Sequence, residues 1–139
     1  MKTLKLSTLL LAVALVFGAS SCKYEEGPAL SLRTKKARVA GEWEIEKTIS
    51  KDGKEDTDWD GWLVTFEKDG TGKSSATYTI GGTTTTSSNT FKWEFTDSKE
   101  KIKTTDEDGE VAEVTILKLK NKEMWVKNEN DTQINYKAK

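Results

Sequence analysis

Apolar and polar residues alternate along most of the chain after residue 40. Between Trp43 and Ile49 the odd positions are mostly apolar and the even positions are polar. Alternation with a period of two is typical of a β-strand that has one face against a core. The pattern predicts eight strands, which lie at or around residues 43–49, 62–66, 76–80, 91–95, 102, 114–116, 124–126 and 134–136.

Turn-forming pairs separate these predicted strands. They are Asp52-Gly53, Asp69-Gly70, Gly81-Gly82, Asp97-Ser98, Asp108-Gly109, Asn121-Lys122 and Asn130-Asp131. Short connections make consecutive strands antiparallel neighbours, which gives a meander. Eight such strands with one apolar face hide that face and their edges best by closing into a barrel. The predicted fold is therefore all-β, an eight-stranded antiparallel meander barrel preceded by a short N-terminal helix.

Two features refine the later strands. Leu117 and Leu119 fall out of phase with Val114 and Ile116, which predicts a bulge or an early turn there. Trp125 lies between two apolar residues of its strand, so we expect its ring to face outward. It can pack there on the N-terminal helix or on a partner.

The first 22 residues follow a different pattern. Lys2 and Lys5 precede an apolar run from Leu9 to Phe17. This run is shorter than the roughly 20 residues needed to cross a bilayer, so it is typical of a secretory signal. Four small residues, 18–21, then lead directly to Cys22. Small residues followed by Cys resemble the lipobox of bacterial lipoproteins, although ordinary secretion with a chance Cys is the alternative.

The lipobox resemblance implies that Cys22 becomes the lipid-modified first residue of the mature chain. We then expect a signal peptide at 1–21, a tether at 22–29 and a barrel domain at 30–139. Two or three acyl chains hold a protein firmly on its membrane. Residues 23–26 resemble the acidic surface-export tag of some Gram-negative lipoproteins, which favours the cell surface over the periplasmic face of the outer membrane. A solvated tether is the alternative interpretation.

A basic segment follows the tether. Ser31 can cap a short helix that runs to Val39 with four basic residues and no acid. These cations can meet lipid headgroups near the anchor or form a solvated helix face.

Gly41-x-Trp43, placed after a short helix and before alternating strands, resembles the first-strand signature of lipocalins. Over residues 30–137 the chain is similar to the lipocalin-like domain of bacterial lipoproteins, a barrel of the calycin type. The resemblance implies that Trp43 closes the barrel floor beneath a basic residue, usually an Arg of the last strand. The last strand here has no Arg, so Lys137 or a helix residue, Arg33 or Arg38, would take that place.

Composition excludes several kinds of site. The chain has no His and one Cys, which argues against zinc-thiolate, iron–sulfur and disulfide chemistry. Without Lys2 and Lys5 the formal net charge falls from −1 to −3, which gives no support to nucleic-acid binding. No nucleophile is paired with a base, and we expect neither an enzyme nor a cofactor.

The barrel interior is the first candidate binding site. Eight aromatic residues are expected to point inward, namely Trp43, Trp62, Phe66, Tyr78, Phe91, Trp93, Phe95 and Tyr136. An eight-stranded barrel is either filled by side chains or holds one small ligand, and rings of this size can fill most of it. If a pocket exists, we expect its mouth near Trp59, Trp62 and the segment 81–89. The candidate ligand residues are Trp43, Trp59, Trp62, Phe66, Tyr78, Phe91, Trp93 and Tyr136.

An acidic loop is the second candidate. Asp56, Asp58 and Asp60 precede Gly61 with the spacing of an EF-hand calcium loop, in which alternate oxygens converge on one ion. The residues after Gly61 alternate as a strand, not as a helix, so only a reduced site of these three carboxylates is consistent with the pattern. An acidic, solvated hairpin loop is the alternative.

Residues 81–89 are rich in Gly, Thr and Ser, which predicts a long hairpin tip whose hydroxyls can meet a glycan or a partner. Together these features predict a lipid-anchored, lipocalin-like binding module of the outer membrane. Its partners would be the membrane and a small lipophilic ligand. The alternative is a structural or interaction protein with a filled core, which acts on a surface protein and has the acidic loop as a candidate calcium site.

Overall fold

The computed structural model describes residues 33–139 and the backbone of Glu25 and Glu26. The predicted signal peptide, Cys22, the rest of the tether and Ser31 lie outside the described residues. The two tether residues that are described form a short strand, which is reported below.

One short helix, α1, precedes the barrel strands and spans Lys35–Val39. It begins at Thr34, whose hydroxyl accepts a hydrogen bond from the Ala37 amide at 3.1 Å. A threonine in extended conformation is a favourable N-cap because its oxygen satisfies an amide that has no partner inside the helix. The observed helix therefore begins later than the sequence suggested, and its cap is Thr34.

Ten strands are described. They are β1 (Glu25–Glu26), β2 (Gly41–Ile49), β3 (Glu55–Asp56), β4 (Trp62–Phe66), β5 (Thr71–Ile80), β6 (Thr83–Thr96), β7 (Lys101–Asp106), β8 (Val111–Leu119), β9 (Glu123–Lys127) and β10 (Gln133–Ala138). Each of the eight predicted strands corresponds to one of β2 and β4–β10. The two others are short and were not predicted.

The eight longer strands form a closed ring. Each pairs antiparallel with the next in the chain, and β10 returns to pair with β2. Every pairing of this ring lies within residues 41–138. The predicted eight-stranded antiparallel meander barrel is confirmed.

The two short strands attach to the ring. β3 pairs with β2 next to the end of β4. β1 runs parallel to β8 at Lys118 and Leu119, beyond the stretch of β8 that β7 reaches.

The β5–β6 hairpin extends beyond the barrel wall. β4 pairs with β5 only as far as Ala76, and β7 pairs with β6 only from Phe91 onward. The Thr77 amide still donates to the Gly61 carbonyl at 2.9 Å. From Tyr78 to Thr85 the two strands pair only with each other, across the Gly81–Gly82 turn. Residues 81–89 therefore lie at the tip of a long hairpin, as predicted, although only Gly81 and Gly82 form the turn and the rest belong to β6.

Two irregularities adjust the ring. The β8–β9 register shifts between Ile116 and Lys118, which confirms the bulge predicted at Leu117. The β2–β10 register also shifts, because Glu46 is an extra residue between the pairs formed by Ile45 and Lys47. Beyond this bulge Thr48, and not Ile49, is paired with Ile134, which packs against the core, so the simple alternation in β2 ends there.

The core lies inside the barrel and under α1. Its buried side chains are Val39, Trp43, Phe66, Trp93, Ile102, Ile116, Leu119, Met124 and Val126. Helix α1 contributes Val39 and the adjacent buried Arg38. The Trp43 indole donates a hydrogen bond to the Val39 carbonyl at 2.7 Å, so α1 and β2 close one end of the barrel together.

Antiparallel order places the connections alternately at two ends. The end near α1 holds the loops 67–70, 97–100 and 120–122, and we call it the closed end. The other end holds the loops 50–61, 81–82, 107–110 and 128–132, and we call it the open end.

Candidate functional site

A cavity of about 540 Å³ occupies the barrel and opens at the open end. It is lined by Val64, Phe66, Ser74, Asn89, Thr90, Phe91, Ile102, Thr104, Asp106, Glu107, Asp108, Glu110, Val111, Ala112, Val114, Met124, Val126 and Tyr136. The deep residues are apolar or aromatic, whereas the polar ones concentrate toward the mouth. An apolar interior with a few polar groups is the usual composition of a small-molecule site.

Edge-to-face aromatic pairs build one wall of the cavity. The Phe66 ring lies 5.5 Å from Phe91 and 5.4 Å from Trp93, at interplanar angles of 70° and 84°. Gly72 allows this packing, because a Cβ built there would lie 2.3 Å from the Phe91 ring. The Trp93 indole donates to the Glu67 carbonyl at 2.9 Å, which fixes the wall to the β4–β5 turn. This wall is held in place by packing, as a preformed pocket requires.

Tyr136 supplies a polar group deep in the cavity. Its side chain is half-buried by surface area because it lines the cavity. It nevertheless lies far enough inside the barrel for desolvation to raise its pKa to about 12. Among the described residues, no hydrogen bond is made to its hydroxyl. The group is free to bond a molecule in the cavity.

The mouth of the cavity is acidic. Asp106, Glu107, Asp108 and Glu110 line it, and all four are exposed. Of the described residues that line the cavity, none is a lysine or an arginine. The mouth thus presents four carboxylates without a cation among the lining residues.

Hydrogen bonds fix the backbone of this mouth. Asp106 Oδ1 accepts from the amides of Asp108 at 3.0 Å and Glu110 at 2.8 Å. The Thr90 hydroxyl of β6 donates to the Glu107 carboxylate. The β7–β8 loop is therefore tied both to itself and to the neighbouring hairpin. Sequence reasoning missed these residues, although four acids within five positions were a signal.

The structure divides the predicted ligand residues into three groups. Phe66, Phe91 and Tyr136 line the cavity. Trp43 and Trp93 are buried in the core, at 2% and 5% exposure, and do not line it. The three others, which lie outside the cavity, are Trp59, Trp62 and Tyr78.

The outer three correct the sequence-based prediction. Tyr78 is 47% exposed on the projecting part of the hairpin, where it pairs with Thr85 and not with a barrel strand. Trp62 is 44% exposed at the end of β4 and packs edge-to-face with Trp59 at 5.8 Å. These two indoles line a separate surface pocket of about 250 Å³. The mouth expected beside them lies instead at the β7–β8 loop.

The acidic β2–β4 loop carries the three carboxylates that were considered as calcium ligands. Asp56 Oδ1 accepts the Asp58 amide at 3.0 Å, so this carboxylate caps a turn. Within residues 33–139, no group of three or more His, Cys, Asp or Glu side chains is placed to hold a metal ion. The structure therefore does not bring Asp56, Asp58 and Asp60 together as a ligand set.

Three basic residues were candidates to lie over Trp43 at the barrel floor. Lys137 is half-exposed and pairs with Glu44 at 3.7 Å. Arg38 is 7% exposed and donates from Nε to the Arg33 carbonyl at 3.2 Å. Of the three basic residues considered for the closed end, Arg38 is thus the one built into the core.

Comparison with solved structures decides the fold. A lipocalin-like protein from Bacteroides uniformis superposes with a TM-score of 0.62 at 13% identity, over 73% of this chain and 99% of that one. The protein has a lipocalin-like fold. An uncharacterised protein from Bacteroides eggerthii gives a TM-score of 0.60 at 14% identity, over the same shares. At this identity the likeness concerns the fold alone.

Comparison of the sequence with known families and proteins gives no family assignment. No family model matches the chain, and no curated protein matches it. Among the described residues, none of the helices has the length and apolar character of a membrane span.

Proposed function

We propose that the protein binds a small lipophilic molecule inside its barrel. The observation that carries this proposal is the cavity of about 540 Å³, which is lined by Phe66, Phe91, Met124, Val126 and Tyr136 and opens at one end. Ligand sites of proteins commonly measure about 300–1,000 Å³, so the volume suits one small molecule.

The placement of the aromatic rings explains why this space is free. Eight rings inside the barrel would fill most of it. Trp62 and Tyr78 lie outside, while Trp43 is directed to the floor by its bond to Val39. The alternative of a filled core required all eight rings inside the barrel. Because some of them lie elsewhere, that alternative has less support.

Two adjacent serines allow a matched test. Ser74 lines the cavity, whereas Ser75 lines the surface pocket near Trp62. The test uses the chain of residues 22–139 with Cys22→Ser, and this chain contains every described residue. We expect decan-1-ol to bind it. Ser74→Phe should abolish the calorimetric signal by filling the cavity, and Ser75→Phe should retain it. Flat traces with the starting protein, or equal binding by both variants, would refute the interior site.

We also propose that Cys22 is lipid-modified and anchors the protein to the outer membrane. The support is the charged, apolar and small-residue pattern of residues 1–21 that ends at this cysteine. Cells fed an alkyne-tagged fatty acid should label the protein and retain it in the membrane fraction. Cys22→Ser should lose both properties, whereas Ser20→Ala keeps a small residue before Cys22 and should retain them. Labelling that survives Cys22→Ser would contradict the anchor.

The barrel is proposed to face the cell exterior, on the basis of the acidic tether. Protease added to intact cells should then degrade it. Protection until the outer membrane is opened would place it on the periplasmic side. The role proposed throughout is binding, and catalysis is not part of it.

A second candidate function is interaction with a surface protein. The specific observation is the projecting hairpin, where Ile80 is 73% and Tyr78 is 47% exposed. A photo-crosslinker at Ile80 should give a discrete adduct on intact cells, and one at Thr79, on the opposite face, should not. Absence of the adduct at both positions would leave the hairpin without this role.

A further inference from the structure

We propose that the ligand is a lipophilic amine, which places its apolar body in the cavity and its cationic nitrogen at the mouth. The inference rests on the proposed function and specifies the chemical class of ligand. It combines a cavity with an apolar interior, an acidic mouth and an unpaired hydroxyl inside.

Charge at the mouth selects against anions. Asp106, Glu107, Asp108 and Glu110 line the opening from the β7–β8 loop, and no lysine or arginine occurs among the described lining residues. A fatty acid would bring its carboxylate to four like charges, and juxtaposed like charges disfavour binding. An ammonium group at the same position is attracted by all four.

Two of the four carboxylates at the mouth are held before a ligand arrives. Asp106 accepts two amides of its own loop, and Glu107 accepts the Thr90 hydroxyl. Their positions therefore need little reordering on binding, which reduces the entropy that association costs. Asp108 and Glu110 flank Gly109 in the same turn and are exposed to an incoming cation.

The interior also offers a polar contact to a ligand. Tyr136 lies deep in the cavity, and its hydroxyl makes no hydrogen bond to a described residue. Because this hydroxyl is accessible from the cavity, it can bond a polar group of a molecule held there.

Three ligands with the same chain length separate size from charge. They are decylammonium, decan-1-ol and decanoate, each used below its micelle concentration at pH 7 with residues 22–139 carrying Cys22→Ser. Decylammonium should bind at least about fivefold more tightly than decan-1-ol, as expected from exposed ion pairs, and decanoate should bind most weakly. Raising the salt concentration of the assay to about 0.5 M should reduce the difference in affinity between the amine and the alcohol, because salt screens the charges at the mouth.

Two charge-matched variants test where the preference arises. The triple change Glu107→Gln, Asp108→Asn and Glu110→Gln removes three charges from the mouth and keeps Asp106, which caps the turn. The ratio of amine to alcohol affinity should fall to about one, with circular dichroism confirming the fold. The control combines Asp58→Asn, Asp60→Asn and Glu129→Gln, in other loops of the open end, and should preserve the ratio.

The outcomes distinguish this inference from the proposed function. If none of the three ligands binds, the interior site itself is wrong. If decan-1-ol binds and the three affinities are equal, or decanoate binds best, only the amine inference is overturned. An equal loss of preference in both triple variants would also overturn it, because the effect would then come from net charge and not from the mouth.

Discussion

At the scale of single residues, Trp43 joins the helix to the barrel. Its ring is 2% exposed and its indole donates to the Val39 carbonyl at 2.7 Å. Trp43→Phe removes this bond, leaves a buried carbonyl unsatisfied and opens a space in the core. We expect the free energy of unfolding to fall by about 2–4 kcal/mol, measured by urea denaturation. Trp62→Phe, at a 44% exposed ring, is the control and should cost less than about 1 kcal/mol. Equal losses would contradict this role of Trp43.

Gly72 makes room for a ring of the cavity wall. A Cβ there would lie 2.3 Å from the Phe91 ring and 2.8 Å from the Thr65 carbonyl oxygen. Gly72→Ala should therefore lower the unfolding free energy by about 1–3 kcal/mol through overpacking. In a double-mutant cycle, Phe91→Leu should recover part of that loss because it removes the ring atoms in the clash. If the two substitutions had strictly additive effects on the unfolding free energy, the proposed clash with the Phe91 ring would be contradicted.

The pKa of Tyr136 predicts a pH dependence at high pH. Burial places this pKa at about 12 in the folded protein, against about 10 in an unfolded chain. Because folding favours the protonated phenol, its contribution is complete below pH 10 and is lost as the pH rises toward 12. The difference in unfolding free energy between the wild type and Tyr136→Phe should change by about 1.4 kcal/mol per pH unit over this interval. Absorbance at 295 nm should show the late ionisation in the wild type alone, and a constant difference would refute it.

Sequence reasoning located part of the site at this scale. Phe66, Phe91 and Tyr136 were predicted because alternation directs a residue to the inside wherever its strand is part of the ring. The same rule failed for Tyr78, since alternation does not show where a hairpin leaves the barrel wall. The mouth residues are polar and follow a strand, so they have the pattern of an ordinary turn. Only the closed ring shows that the turn lies over a cavity.

At the scale of elements, the projecting hairpin is built from paired hydroxyls. Thr77 and Thr86 lie 2.9 Å apart, and Thr79 and Thr84 lie 3.0 Å apart, across the two strands. Such pairs stabilise an antiparallel ladder, and threonine favours strands because of its branched Cβ. Apolar alternation predicted the first strand of this ladder at 76–80, but residues 83–89 have only hydroxyl and amide side chains, so no alternation marked them as a strand. The turns and the other strands were predictable because each has one face in the core.

The hairpin can be shortened without touching the ring. Deletion of residues 79–80 and 83–84 joins Tyr78 and Thr85 through the existing Gly81–Gly82 turn, keeps the alternation of hydrogen-bonded pairs, and removes only pairs that β5 and β6 form with each other. We expect the melting temperature to change by less than about 4 °C, which corresponds to less than about 1 kcal/mol in a domain of this size. As a control, deletion of residues 72–74 and 89–91 removes pairs with β4 and β7 and should unfold the barrel. Unfolding by the first deletion would show that the hairpin supports the ring.

At the scale of the whole molecule, closure depends on residues that are far apart in sequence. β10 pairs with β2, so Ala138 lies opposite Trp43 and Gln133 opposite Ile49. The sequence predicted that the sheet closes, because an open meander would leave an apolar face and two edges exposed. It could not predict the register, since the Glu46 bulge is set by the fit between the first and last strands.

The same closure predicts that the two ends of the chain contribute unequally to stability. Every pairing of the ring lies between residues 41 and 138, whereas β1 adds only two residue pairs to β8. A chain of residues 33–139 should therefore fold, with a melting temperature lower by about 4–8 °C, the equivalent of roughly 1 kcal/mol.

A chain of residues 22–132 with Cys22→Ser makes the comparison decisive. It lacks seven residues, but they include β10, which bonds to both β2 and β9 and carries Ile134 and Tyr136 into the interior. Without β10, the ring loses its pairings with β2 and β9, and the core is exposed to water. This chain should therefore show no cooperative unfolding transition by circular dichroism and no near-ultraviolet signal. If instead the chain of residues 33–139 were unfolded and that of 22–132 folded, stability would come from the N-terminal segment, and closure of the ring could not be the principle that holds this barrel together.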